Sequence, residues 1–305
     1  MTPSPARPPR AGSVADLPLL RARHPEAIAD AAALRTRRPL LGTRDRLLIV
    51  AADHPARGAF AAGGLPTAMA DRHDLLERLL TALAQPGVDG VLATADTLED
   101  LLLLGALEDR LALASMNRGG LAGAAFELDD RFTGARAEDI ARLRFDAGKL
   151  LLRVDLSDAG SLTTAASAAR AVDDCARHRL PVFVEPFLCR RDAAGRPVAD
   201  LGPRAVAASL AIASGLGGTS AYTWLKVPVP DDPAAMERVM AATTLPTVLL
   251  GGDARVGPGG TGDVWERWRT ALRLPGVRGL VAGRALLYPP DGDVAGAVAR
   301  AAALL

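Results

Sequence analysis

The sequence predicts an α/β protein folded as a single (β/α)8 TIM barrel, and three observations predict it. Eight short apolar runs are continuous rather than alternating, which is the pattern of parallel strands covered on both faces. Amphipathic or Ala-rich segments of helical length separate those runs. The alternation fills a chain of 305 residues, 49% of them hydrophobic, with no Pro/Gly/Ser-rich linker dividing it. Eight strands also exceed the usual six of an open Rossmann sheet.

Taken in order, residues 1–20 open with MTPSPARPPRAGSV and read as a disordered Pro/Arg-rich tail. They have no apolar period, and no apolar core of a secretory signal. The barrel is expected over 21–305. Its strands are predicted at 47–53 (LLIVAAD), 89–94 (DGVLAT), 111–116 (LALASM) and 149–155 (KLLLRVD). Four more follow at 181–185 (PVFVE), 222–227 (YTWLKV), 247–251 (TVLLG) and 279–282 (GLVA). Helices are predicted at 71–84, 137–148, 163–178, 203–214, 232–242, 263–272 and 294–304. The longer segment 117–136 makes an excursion over one rim.

Composition narrows the function. Lys+Arg 36 against Asp+Glu 35 leaves a net charge of +1, which does not support bulk binding to nucleic acid or an anionic membrane surface. No apolar run approaches the roughly 18 residues of a spanning helix. Two cysteines, Cys175 and Cys189, cannot make a disulfide framework, which suits the cytoplasm. Only Lys149 and Lys226 are lysines among the 36 basic residues. Where an ion pair suffices this chain uses Arg; a position that keeps Lys needs an amine able to lose its proton.

In a barrel of this class the C-terminal strand ends build the active site. The first predicted strand ends in Asp53, followed by His54 and Arg57. The fourth begins with Lys149, the fifth ends in Glu185-Pro186 and the sixth carries Lys226. The last two end in Gly251-Gly252 and Gly283-Arg284. Lys226, among Trp224, Leu225 and Val227, is expected to have a lowered pKa and to attack a ketone as the free amine. The alternative is a structural ion pair across the barrel. Glu185 is placed to shuttle protons, with Pro186 stopping the ladder and turning the chain outward. Lys149 either holds Lys226 neutral by repulsion, binds a substrate hydroxyl, or snorkels at the barrel's lower rim. Asp53 makes the weakest case, since an Asp there is commonly a turn or helix cap. Gly251-Gly252 and Gly283-Arg284 follow the strands where barrels commonly bind phosphate; ordinary tight turns are the other reading.

At these residues the sequence resembles the class I, Schiff-base aldolases of the tagatose-1,6-bisphosphate aldolase type. The motifs are DAGKLLLRVD around Lys149, VFVEPF around Glu185, WLKVPVP around Lys226 and GLVAGRALLY around Arg284. It also resembles aldolase-like barrel proteins associated with myo-inositol breakdown. The resemblance implies Lys226 as the imine-forming lysine, Glu185 as acid/base, Lys149 and Asp53 as supporting groups, and Arg284 as a phosphate ligand. It departs from the family at DHPARG, where His54 replaces a Gln and Arg57 comes two residues late. That departure bears on sugar specificity. A phosphorylated sugar is the expected partner, with no cofactor, no nucleic acid, no membrane and the homo-oligomeric state left open. The rival reading from another class is a phosphosugar-binding barrel without turnover.

Other motifs are set aside. Gly257 to Gly262 match GxGxxG but follow the seventh strand, so they read as a βα loop. Neither GxxxxGK[ST] nor GxSxG occurs. Of four histidines only His54 falls at a strand end, so no metal site is expected. Cys189 reads as a small buried hydrophobe, and Trp265 with Trp268 as packing residues.

Overall fold

A computed structural model describes residues 9–230, 233–252 and 260–305. Its parallel strands are β1 (Leu47–Ala51), β2 (Gly90–Ala93), β3 (Leu111–Ser115), β4 (Ala147–Val154), β5 (Val182–Arg191), β7 (Thr223–Val227), β8 (Thr247–Leu250) and β9 (Val277–Ala282). They pair in the order β4-β3-β2-β1-β9-β8-β7-β5, and β4 pairs with β5 to close the ring. The fold is the expected (β/α)8 barrel. A short β6 (Pro197–Ala199) runs antiparallel to the end of β5 and forms a hairpin above the barrel mouth.

Two apolar layers follow from the strand periodicity. One fills the barrel and includes Leu47, Ile49, Leu113, Phe183, Trp224 and Val281. Phe183 and Trp224 stack at 5.2 Å between ring centroids. The other lies between strands and helices, where α3 (Arg72–Leu83) buries Leu75, Leu76, Leu79 and Leu83. Asp71 caps that helix by accepting the backbone N–H groups of His73 and Asp74. At the N-terminal end of the barrel, Leu40 and Leu41 pack under the interior cluster. Arg38 and Arg44 pair with the buried Asp89, and Arg35 and Arg37 pair with the buried Asp146. Both carboxylates also accept strand N–H groups, from Leu48 and Ala112.

Four expectations are corrected. Of the tail expected over residues 1–20, the first eight lie outside the described residues, and the second half is folded. A 3-10 turn (Val14–Asp16) leads into α1 (Leu17–Arg23), and Val14 and Leu17 are buried against the core. The helix expected over 137–148 is only α5 (Ala137–Arg142), because Ala147 and Gly148 already pair with Leu113 and Ala114. Lys149 therefore stands inside β4, not at the lower rim. Pro186 does not stop the ladder. Pairing with β7 ends at Val184 while pairing with β4 runs on to Leu188, so Pro186 sits where β5 has become an edge and needs no second partner.

The excursion 117–136 does cross the rim. Asn117 accepts the N–H of Leu151 through its side chain and donates to the Leu151 carbonyl and to Asp130. Among the described residues, no helix is long and apolar enough to cross a membrane.

Candidate active site

Strand phase decides which side chains reach the barrel axis. Ala147, Phe183 and Trp224 face the interior, so residues two further along each strand face it too: Lys149, Glu185 and Lys226. Phe183 is in register with Trp224, which brings Glu185 level with Lys226. Each of the three is under a tenth exposed. Asp53, two residues past β1, joins them. Its side chain caps no turn but accepts from Lys149.

The four groups form one chain of contacts. Lys149 Nζ lies 2.9 Å from Asp53 Oδ2 and 2.8 Å from Glu185 Oε2. Lys226 Nζ lies 2.9 Å from Glu185 Oε1. The Ser115 hydroxyl donates to Asp53 Oδ2 at 3.1 Å, and the half-buried His54 places Nδ1 3.9 Å from Asp53 Oδ1.

Their electrostatics separate the two lysines. Burial disfavours the charge on both. At Lys149 two carboxylates overcome it, and the ammonium is held above the usual lysine range. At Lys226 burial and the nearby Lys149 cation outweigh the pull of Glu185 and the more distant Asp53, and its ammonium is lowered from the usual lysine range. Burial would raise Glu185 and Asp53, yet both are held below the usual carboxylate range by Lys149 and Lys226, with His54 acting on Asp53. The His54 imidazole is lowered to about 4 by burial and by Arg284, Lys226 and Lys149, against the pull of Asp53.

These groups floor a cavity of about 410 Å³, within the size range of small-molecule sites. Phe187, Leu201 and Trp268 supply apolar wall, while Arg57, Arg118, Arg267 and Arg284 bring four guanidiniums around it. Glycine is required at two positions by crowding. A Cβ on Gly283 would meet the Ala51 carbonyl oxygen at 2.2 Å, and one on Gly251 would meet the Ala282 Cβ at 2.4 Å. Gly251 also spends its N–H on the Val281 carbonyl, so it is a packing residue rather than a bare amide. At Gly252 an added Cβ would have no neighbour within 4 Å, so that position faces open space.

All ten candidate residues thus line one cavity. Sequence reasoning missed Ser115, Arg118 and Arg267. Arg267 lies on α9 (Gly260–Ala271), the helix after β8, and the phosphate rule for barrels pointed to that neighbourhood. Ser115 and Arg118 carry no motif. The GxGxxG segment falls outside the described residues except for the backbone of 260–262. Cys189 is buried away from the cavity, and Trp265 packs edge-on against Trp268 at 5.0 Å. No three metal-ligating side chains converge among the described residues.

A family model described as Cgl0159-like matches residues 45–302. Among curated proteins, none matches the chain. Among solved structures, Cgl0159 from Corynebacterium glutamicum (Brevibacterium flavum) is 49% identical, covers 97% of this chain and 98% of its own, and superposes with a TM-score of 0.91. A Schiff base-forming fructose-1,6-bisphosphate aldolase is 19% identical over 91% of this chain and 99% of its own, with a TM-score of 0.63. An archaeal fructose-1,6-bisphosphate aldolase, solved with its catalytic lysine covalently bound to a carbinolamine, is 19% identical over 91% and 97%, with a TM-score of 0.61. The likeness to these two aldolases is one of fold.

Proposed function

The chain belongs to the Cgl0159-like family, and on that footing we propose that it is a class I aldolase, which cleaves or forms a C–C bond of a phosphorylated ketose through a lysine imine. One observation carries the reading. Two lysines share a buried carboxylate, and only Lys226 is left with a lowered pKa.

The geometry supports the following sequence. Lys226 passes a proton to Glu185, and the free amine attacks the substrate carbonyl carbon. One proton moves from the new C–N nitrogen to the oxygen to give the carbinolamine, Glu185 returns the other to that hydroxyl, and it leaves as water as the iminium forms. When the C–C bond breaks, its electron pair moves into the iminium and Glu185 accepts the proton of the hydroxyl that becomes a carbonyl. Lys149 stays charged throughout because Asp53 remains its carboxylate partner while Glu185 carries the proton, and its repulsion keeps Lys226 from regaining a proton. Asp53, fixed by Ser115, orients Lys149. Gly252 and Arg284 are assigned to the phosphate, with Arg57 and the neutral His54 facing the remaining hydroxyls. Within this class the substrate is a ketose phosphate of the tagatose type; a phosphorylated deoxy-keto sugar acid of inositol breakdown is the variant.

The test is reductive trapping. Borohydride added with dihydroxyacetone phosphate should append one reduced three-carbon phosphate to the peptide containing Lys226. A barrel that only binds phosphosugars would give no adduct.

A further inference from the structure

Glu127 lies in the 117–136 excursion, is 8% exposed, and has no part in the proton chemistry described above. Its Oε1 accepts from Arg57 Nη2 at 3.0 Å and from Arg153 Nη1, and its Oε2 accepts the N–H of Gly123 at 3.1 Å. One buried carboxylate therefore serves two guanidiniums with different duties. Arg153, on β4, is anchored independently by the carbonyls of Gly119 and Pro197. Arg57 lines the cavity, and its backbone carbonyl accepts the N–H of Ala122 at 2.9 Å.

Removing Glu127 would leave the buried Arg153 and the half-buried Arg57 as neighbouring cations with no carboxylate between them, and Arg57, whose side chain has fewer anchors, would be displaced. Burial and Arg153 already press on the Arg57 charge. We infer that Glu127 is a positioning residue that holds the Arg57 guanidinium in the cavity wall after β1, and thereby sets substrate affinity without entering the reaction. This rests on the aldolase reading only for its consequence; the clamp itself is geometric.

Two measurements test it. In borohydride trapping with dihydroxyacetone phosphate, Glu127→Ala should raise the half-saturating concentration about tenfold while the saturated rate stays within about twofold. Glu127→Gln keeps an acceptor and should recover part of that loss, which a collapsed excursion would not allow. In an Arg57→Ala background, Glu127→Ala should add nothing further. Additive losses, or an equal fall in the saturated rate, would overturn the proposal. If the wild type gives no adduct, the imine reading fails, and the clamp is judged by phenylglyoxal mapping alone. Arg57 should then be modified several-fold faster in Glu127→Ala than in wild type, and an unchanged rate rejects the inference.

Discussion

Lys149 and Lys226 hold opposite oxygens of the same carboxylate, at 2.8 and 2.9 Å from Glu185. The difference between them is Asp53, which touches Lys149 and not Lys226. An amine touching two anions holds its proton more tightly, whereas a buried amine touching one shared anion with a cation beside it holds its proton less tightly. Under the aldolase reading, the choice of nucleophile then rests on a third residue that contacts only the other lysine.

Exchange of either lysine for arginine should separate their roles. Lys226→Arg keeps a cation beside Glu185 but offers no neutral nitrogen, so borohydride trapping and turnover should both vanish. Lys149→Arg retains the charge between the carboxylates and should still trap, with slower turnover. Peptide mass mapping after reduction checks both, and an adduct on Lys149 would reverse the assignment.

Glu185→Gln removes the proton carrier while keeping an acceptor for both amines. The expected loss in kcat is about 10²- to 10⁴-fold, the usual contribution of a general acid–base, with a much smaller change in KM. Steady-state kinetics decide this, and a KM effect alone would make Glu185 a binding group.

The pH dependence has a definite sign. The folded protein keeps His54 neutral down to about 4, while the unfolded chain takes up that proton near 6.5, so stability should fall as pH drops through that window. Asp53 and Glu185 are held below the ordinary carboxylate range, so their stabilisation is present above about pH 4 and is lost below it. Thermal midpoints between pH 7 and 3 should fall in two stages, and His54→Gln should remove the first. Imine formation should instead rise with pH, with a midpoint below that of an ordinary lysine.

Arg284→Ala should raise KM for the phosphorylated substrate by roughly ten- to a hundredfold, about 1.5–3 kcal/mol, if it supplies charge-assisted bonds to phosphate. An unphosphorylated analogue should be nearly unaffected. Equal losses on both would make Arg284 a structural group.

The barrel and the cluster of Asp53, Lys149, Glu185 and Lys226 were legible in the sequence because both depend on local pattern. Continuous apolar runs mark covered parallel strands, and a polar residue at the end of such a run has nowhere to go but the mouth. Lys149 was placed too low for a specific reason. FDAG before it is compatible with a helix end, and only the pairing of Ala147 and Gly148 with β3 shows that the strand had already begun. Pro186 misled similarly, because the rule that proline ends a ladder assumes two neighbours and β5 has one at that point. Glu127 and Ser115 were invisible, since their importance lies in contacts with Arg57 and Asp53, some 60 to 70 positions away.

The floor and the wall of the cavity differ in their electrical accounts. Asp53 and Glu185 balance Lys149 and Lys226, so the floor is formally neutral and a proton can circulate there without changing the total. Arg57, Arg118, Arg267 and Arg284 line the wall above it, and Arg57 is paired there with Glu127. Under the aldolase reading, chemistry and recognition draw on different residues. A lineage changing its substrate from one acidic group to none can exchange wall arginines one at a time while the inventory of protons below stays intact.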